Sequence, residues 1–155
     1  MKSFNKSILS LVCILSLLLV GCGGKEQAPS EDLSLKYENN KLFNDFKEKF
    51  PNRTVVICEN ADVTNDGVED LILIYSEEKE MRLVVAVDLE DKIEYTNEVP
   101  APKENQTIKL RDIDKKEHME FVVSGSKRGN IGYAIFRVEN MKLVDLFGDG
   151  MESCC

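Results

Sequence analysis

Two segments of this chain resemble each other at an offset of fifty residues. ADVTNDGVEDLILIY occupies 61–75 and RDIDKKEHMEFVVSG occupies 111–125. Each has an Asp-rich loop, then an acidic residue, then an apolar strand. A period near fifty with a strand after each loop is typical of propeller-like or stacked-sheet repeats, and two copies cannot close a propeller. We therefore expect two similar β units in one compact domain.

The apolar segments of the chain are separated by turns too short for crossover connections. They lie at 54–58, 71–75, 83–89, 121–123, 131–138 and 143–147. Turns this short predict antiparallel hairpins. The expected fold class is therefore mainly β: an antiparallel β domain built from two tandem strand repeats, spanning 36–148.

One amphipathic helix is expected before the first strand. Leu42, Phe43, Phe46 and Phe50 recur at helical spacing, and Pro51 ends the pattern. This helix would pack its apolar face on the β domain.

The N-terminus has the pattern of an export signal. A short basic region precedes the thirteen-residue apolar run 8–20, which is too short to span a bilayer comfortably. The run ends in Leu19-Val20-Gly21-Cys22, which resembles the bacterial lipobox. The resemblance implies a signal peptide at 1–21, a lipidated Cys22, and a location on the extracytoplasmic face of the bacterial cytoplasmic membrane. Residues 22–35 then form a flexible tether that begins at the lipidated cysteine.

The charge of the exported part argues against some partners. Loss of Lys2 and Lys6 with the signal leaves 18 basic against 28 acidic residues, a net charge of −10. This charge disfavours nucleic acid and anionic headgroups, so the expected contact with the membrane is the lipid. We see no catalytic triad, phosphate loop or supported pair of catalytic carboxylates, and we expect no enzymatic turnover.

The first Asp-rich loop has the spacing of a calcium loop. Its acidic residues stand at loop positions 1, 5 and 9 with glycine at position 6, where oxygens converge on a hard cation. An EF-hand would need glutamate at position 12, where Leu73 stands. The loop instead resembles FG-GAP and VCBS repeats. That resemblance implies Ca²⁺ ligands at Asp62, Asp66, Asp70 and the Val68 carbonyl. The alternative is an Asx-type turn without an ion.

In the second Asp-rich loop, Lys116 replaces the middle carboxylate. A cation in the ring of ligands argues against a metal there. We expect Lys116 to act as an internal counter-charge instead.

The chain ends in GDGMESCC, with two adjacent thiols. We expect residues 149–155 to form a flexible, glycine-hinged tail that exposes Cys154 and Cys155. Neighbouring acidic residues disfavour the thiolate, whereas an activated thiol needs the opposite setting. A soft ion such as Hg(II) or Cu(I) displaces thiol protons by direct bonding. No cofactor is expected to be obligatory.

With its lipobox, acidic domain and terminal SCC, the chain is similar to the Cys-Cys-COOH (seleno)protein family called SaoC. That resemblance implies a role in handling mercury-like metals or organometals, with a transporter and a thioredoxin-like protein as partners. Some members carry selenocysteine in the terminal pair, whereas this chain has cysteine at both positions.

Three functions follow as expectations. The first is a membrane-anchored thiol protein whose terminal pair binds or relays a soft metal or organometal. The second is a dithiol–disulfide redox partner of a thioredoxin-like protein. The third is a calcium-stabilised structural or binding module built from β repeats.

Overall fold

The computed structural model describes residues 31–116 and 118–155. They form two antiparallel sheets and few helices, so the prediction of a mainly β, antiparallel fold is confirmed. The elements in chain order are α1 (Glu31–Lys36), α2 (Lys41–Lys49), β1 (Thr54–Ala61), β2 (Asp70–Glu77), β3 (Glu80–Asp88), β4 (Ile93–Tyr95), β5 (Val99–Pro100), β6 (Glu104–Arg111), β7 (Glu120–Lys127), β8 (Asn130–Glu139), β9 (Lys142–Asp149) and α3 (Met151–Cys154).

The two sheets repeat the same strand order. Sheet one has the order β1-β2-β3-β4, and β5 pairs with β3 beside β4; sheet two has the order β6-β7-β8-β9. The first residues of β6, β7 and β8 lie fifty positions after those of β1, β2 and β3. The sequence repeat therefore corresponds to a structural repeat of three strands.

The turns repeat at the same offset. Glu78 and Lys79 both have positive φ in the β2–β3 hairpin, and Arg128 and Gly129 have positive φ in the β7–β8 hairpin. Two-residue loops with φ positive at both positions match the right-handed twist of paired strands. Turns with the same backbone conformation thus fix the register of both hairpins.

The core between the sheets is formed by faces that are not equivalent in the two repeat units. Sheet one contributes one set of side chains and sheet two another; these are Ile72, Ile74, Leu83, Val85 and Val87 from sheet one, and Phe121, Val123, Ala134, Phe136 and Val138 from sheet two. Residues fifty positions before the members of the second set, such as Leu71 and Leu73, lie on the opposite face of sheet one. The two units therefore stack head to tail, as repeats in a solenoid do.

The helices cover the outer face of sheet one. Asn40 caps α2 by accepting a hydrogen bond from the Phe43 amide at 2.9 Å. Leu42, Phe43 and Phe46 of α2 are buried against Leu73, Tyr75 and their neighbours. The expected amphipathic helix is present, one residue shorter than its apolar pattern.

The corresponding outer face of sheet two has no such cover among the described residues. Tyr133 and Phe147 lie on it with their ring centroids 6.0 Å apart, and Phe147 is 57% exposed. The stack therefore has one covered end and one open end.

The predicted signal peptide, Cys22 and most of the predicted tether lie outside the described residues. The last residues of the predicted tether belong to α1 rather than to a linker without structure, and Leu33 packs on the helical cluster. At the other end, the prediction of a flexible tail at 149–155 is wrong, because α3 contacts β7 and β8. No helix in the described part of the chain is long and apolar enough to cross a membrane.

We predict that Phe46→Ala lowers the free energy of unfolding by about 3–5 kcal/mol, because Phe46 is fully buried under sheet one. Leu35→Ala is the matched control, since Leu35 is 67% exposed, and we expect its effect to stay within about 0.5 kcal/mol. Urea denaturation measures both. Equal, small effects would show that α2 does not cover the sheet.

Candidate functional site

The C-terminal turn is positioned by a left-handed glycine. Gly150 has φ +69°, which L side chains rarely adopt, and it redirects the chain from β9 into α3. The Cys155 amide donates to the Met151 oxygen at 3.1 Å, and the Lys103 amide donates to the Cys154 oxygen at 2.9 Å. Backbone hydrogen bonds therefore hold the terminal thiols on the domain.

Close approach to β8 fixes where the Cys154 thiol lies. A Cβ atom on Gly132 would stand 2.6 Å from the Gly150 carbonyl carbon and 2.7 Å from Cys154 Sγ. These distances are too short for any side chain at position 132. A glycine in β8 is what lets the thiol pack against the strand.

The two terminal thiols are in contact, and they are not equally accessible. Cys154 Sγ and Cys155 Sγ lie 3.7 Å apart, and both thiols are free. Cys154 is 0% exposed, whereas Cys155 is half-buried. The expectation that both thiols are exposed is therefore wrong for Cys154, because the turn buries it against β8.

Burial raises the pKa of the Cys155 thiol to about 12, and its hydrogen bond and charge repulsion with Cys154 add to the effect. The positive charges of Lys127 and Lys103 act to lower this pKa and so oppose part of the shift. The Lys127 ammonium also donates to the terminal Cys155 oxygen. The prediction of a suppressed thiolate agrees with this direction, although desolvation rather than acidic neighbours is the largest cause.

A cleft of about 540 Å³ opens beside the pair. Its lining comes from the start of β3, from β5, β8 and β9, and from the C-terminal turn. Met151 and Cys155 line it, together with Met81 of sheet one and Phe136 of sheet two. Arg82 and three acidic residues, Glu80, Asp145 and Glu152, add charge to a lining whose other members are apolar or carry sulfur. The half-buried thiol therefore adjoins a space large enough for a small ligand.

The first Asp-rich loop satisfies its carboxylates internally. Asp62 accepts from the Asp66 and Gly67 amides at 3.1 and 2.9 Å, and Asp66 accepts from the Val68 amide at 2.9 Å. These are the bonds of an Asx-type turn. The same carboxylates are the ones expected to bind calcium.

Asp70 anchors this loop from inside the domain. Its carboxylate accepts from the Val63 amide, from the amide and hydroxyl of Thr64, and from the Asp88 amide, at 3.0–3.2 Å. Burial raises the pKa of Asp70, while these hydrogen bonds oppose the shift. Among the described residues, Asp70 does not join Asp62 and Asp66 in one cluster of carboxylate oxygens. Calcium at this loop stays a prediction.

The second Asp-rich loop brings three carboxylates together around protein cations. Oxygens of Asp112, Asp114 and Glu120 lie within 4.8 Å of one another. Arg137 Nη1 donates to Asp114 at 2.9 Å and to the buried Glu120 at 3.1 Å. Lys116 Nζ lies 3.2 Å from Asp114, which agrees with its expected role as a counter-charge.

The sequence pattern does not predict that the guanidinium of Arg137 lies at this loop. It enters from β8, seventeen residues after Glu120, and only strand pairing brings the two together. The pKa of Asp114 lies below its ordinary value: desolvation acts to raise it, and the hydrogen bonds from Lys116 and Arg137 outweigh that effect.

Cys58 is a core residue, as its position in the β-branched segment TVVICEN predicts. It is 2% exposed within the cluster under α2, and the Tyr37 hydroxyl donates to its backbone oxygen at 3.1 Å. Burial raises the pKa of its thiol to about 12. It takes no part in the terminal pair.

Comparison with protein-family models, with curated proteins and with solved structures gives no match. The resemblances to the SaoC family and to FG-GAP and VCBS repeats therefore remain expectations drawn from the motifs alone.

We predict that Gly132→Ala lowers the free energy of unfolding by about 1–3 kcal/mol, because its methyl group would overlap the C-terminal turn. The same substitution should increase the alkylation rate of Cys154 as the turn is displaced. Gly148→Ala is the control, since a Cβ there would meet nothing closer than 3.4 Å. Protection of Cys154 in Gly132→Ala equal to wild type would contradict the contact.

We predict that alkylation of Cys155 by iodoacetamide in the folded chain rises about tenfold per pH unit from pH 7 to 10. The reason is that a pKa near 12 keeps the thiolate a minor species throughout that range. In denaturant the rate should level off above about pH 9, near the ordinary thiol pKa. Tandem mass spectrometry of the C-terminal peptide measures both rates. A plateau below pH 9 in the folded chain would show that the thiolate is stabilised.

Proposed function

We propose that Cys154 and Cys155 bind a soft metal ion beside the cleft between the two sheets. The observation that carries this proposal is the contact of two free thiols, 3.7 Å apart, on a turn held to the domain by hydrogen bonds. Vicinal thiols fixed at this distance can both reach one ion.

The acid–base chemistry of the pair favours a metal over a nucleophilic role. Burial holds the pKa of Cys155 near 12, so the thiol remains protonated at neutral pH. An ion that bonds directly to sulfur displaces the proton, and each thiol that becomes a ligand releases one. Thiolate ligands select soft ions, which compete best with the proton for sulfur.

Charges on neighbouring strands support a bound dithiolate. A univalent ion with two thiolates leaves one excess negative charge in a half-buried site. The Lys127 ammonium lies on the terminal carboxylate and the Lys103 ammonium is paired with Glu80, and both cations act to lower the pKa of the Cys155 thiol. These cations offset part of the cost of burying the anionic complex.

Unequal access to the two thiols supports exchange with a partner. Cys155 adjoins the cleft, whereas Cys154 is fully buried behind it. An incoming thiol of another protein would therefore attack the ion from the Cys155 side. Lipidation at Cys22 would keep this exchange at the extracytoplasmic membrane face, and the SaoC resemblance suggests an organometal cargo with a transporter and a thioredoxin-like protein as receivers.

The redox alternative has less support. Thiol–disulfide exchange starts from a thiolate, and the raised pKa of Cys155 makes that species scarce at neutral pH. A disulfide between the pair would also require the two sulfurs to approach from 3.7 Å to about 2.05 Å. Direct metal ligation needs no such approach.

Titration of the full chain in detergent with Hg²⁺, followed by ultraviolet charge-transfer absorption, tests the proposal. We expect the double variant Cys154→Ser/Cys155→Ser to lose one tightly bound equivalent relative to wild type. Cys58→Ala is the matched control, because it removes a cysteine that lies outside the pair, and it should keep that equivalent. Equal tight binding by wild type and the double variant would refute the proposal.

A further inference from the structure

A third sulfur lies beside the thiol pair. Met151 precedes Cys154 by three positions in α3, so both side chains lie on the same side of the turn. Met151 Sδ stands 3.7 Å from Cys154 Sγ, the same distance that separates Cys154 Sγ from Cys155 Sγ. Cys154 is thus the middle member of a three-sulfur group.

We infer that Met151 is a third metal ligand and that the complete site is a three-sulfur site selective for Cu(I). This inference rests on the proposed function, since it adds a thioether to the same thiol pair. It also makes the site different from a simple dithiol.

The spacing favours three ligands over two. With metal–sulfur bonds of about 2.3 Å, neighbouring sulfurs stand about 4.0 Å apart around a trigonal ion and about 4.6 Å apart across a linear one. Both observed separations are 3.7 Å. The two separations from Cys154 Sγ are therefore closer to the trigonal value than to the linear one, and a linear ion such as Hg(II) would have to spread the two thiols.

The ligand types favour Cu(I) over harder ions. Thioether and thiolate sulfur select Cu(I), whereas zinc sites are completed by imidazole, carboxylate or further thiolate. The chain has a single histidine, His118, and it belongs to the second Asp-rich loop rather than to the terminal turn. Two thiolates and one neutral thioether give a complex of one negative charge.

Access and proton balance are compatible with loading. Met151 and Cys155 both line the cleft, so an ion can reach them before it contacts the buried Cys154. Loading replaces two thiol protons: one Cu(I) enters, two protons leave, and no electron is transferred. The thioether loses nothing, because its sulfur carries no proton.

The test compares the full chain in detergent with Met151→Leu, using Cu(I) kept reduced by ascorbate and buffered by a bathocuproine chelator. Copper-edge X-ray absorption should show three sulfur ligands in wild type and two in the variant. Loss of a direct ligand should weaken Cu(I) binding by at least about tenfold, the lower end of the effect seen for groups that only support ligands. The affinity for Hg²⁺ should not change.

Met141→Leu is the matched control, because Met141 packs on the core and does not line the cleft. A Leu-for-Met exchange conserves volume and is well tolerated. If Met151→Leu nevertheless unfolds, selenomethionine-labelled wild type replaces it, and the selenium edge should then show copper as a direct neighbour.

The possible outcomes separate the two proposals. Two-sulfur coordination and equal Cu(I) affinity in wild type and Met151→Leu would overturn the role of Met151 while leaving metal binding by the pair intact. Binding of Hg²⁺ without binding of Cu(I) would do the same. Equal Cu(I) and Hg²⁺ binding by wild type and Cys154→Ser/Cys155→Ser would refute both.

Discussion

The domain depends on one packing constraint between its two sheets. The face that sheet two buries in the central core is equivalent to the face that sheet one buries under the helices, not to the face that sheet one buries in that core. Phe121 and Val123 pack between the sheets, whereas their counterparts Leu71 and Leu73 pack under the helices. Sheet one has two apolar faces, so a single partner cannot cover both. The helices and the second sheet together remove sheet one from water, and this explains why α2 and both units are needed.

The thiol site is built on this scaffold rather than added as a loose end. Strand β8 supplies Phe136 to the cleft, and its Gly132 leaves space for the C-terminal turn. Sheet one supplies the opposite wall through Met81. The position of the sulfurs therefore depends on three features of the fold. These are the gap between the sheets, a strand position without a side chain, and a turn that starts in a left-handed conformation.

Local pattern was sufficient to predict much of the fold. Alternating apolar segments, short turns and the helical spacing of Phe43 and Phe46 predict the antiparallel strands and α2, because these depend on residues close in sequence. The burial of Cys58 was also predictable from its β-branched neighbours. The fifty-residue repeat predicts paired units, although it does not reveal which faces meet.

The site was only half predictable, because its decisive contacts are distant in sequence. The tail resembles a flexible end, since glycines and acidic residues surround the thiols. Burial of Cys154 depends on Gly132, and the positive charge near the pair comes from Lys127 and Lys103. Likewise, Arg137 reaches the second Asp-rich loop only through the pairing of β7 and β8.

Because the two units stack head to tail, the two ends of the stack are not equivalent. Helices close one end, while the face bearing Tyr133 and Phe147 at the other end corresponds to the face that sheet one buries against its neighbour. The two faces differ in chemistry, because Ser124 and Arg137 of sheet two stand where sheet one buries Ile74 and Val87. Within the described residues, sheet two therefore has an outer face suited to water rather than to another sheet, and the C-terminal turn packs on the opposite side of β8 from it.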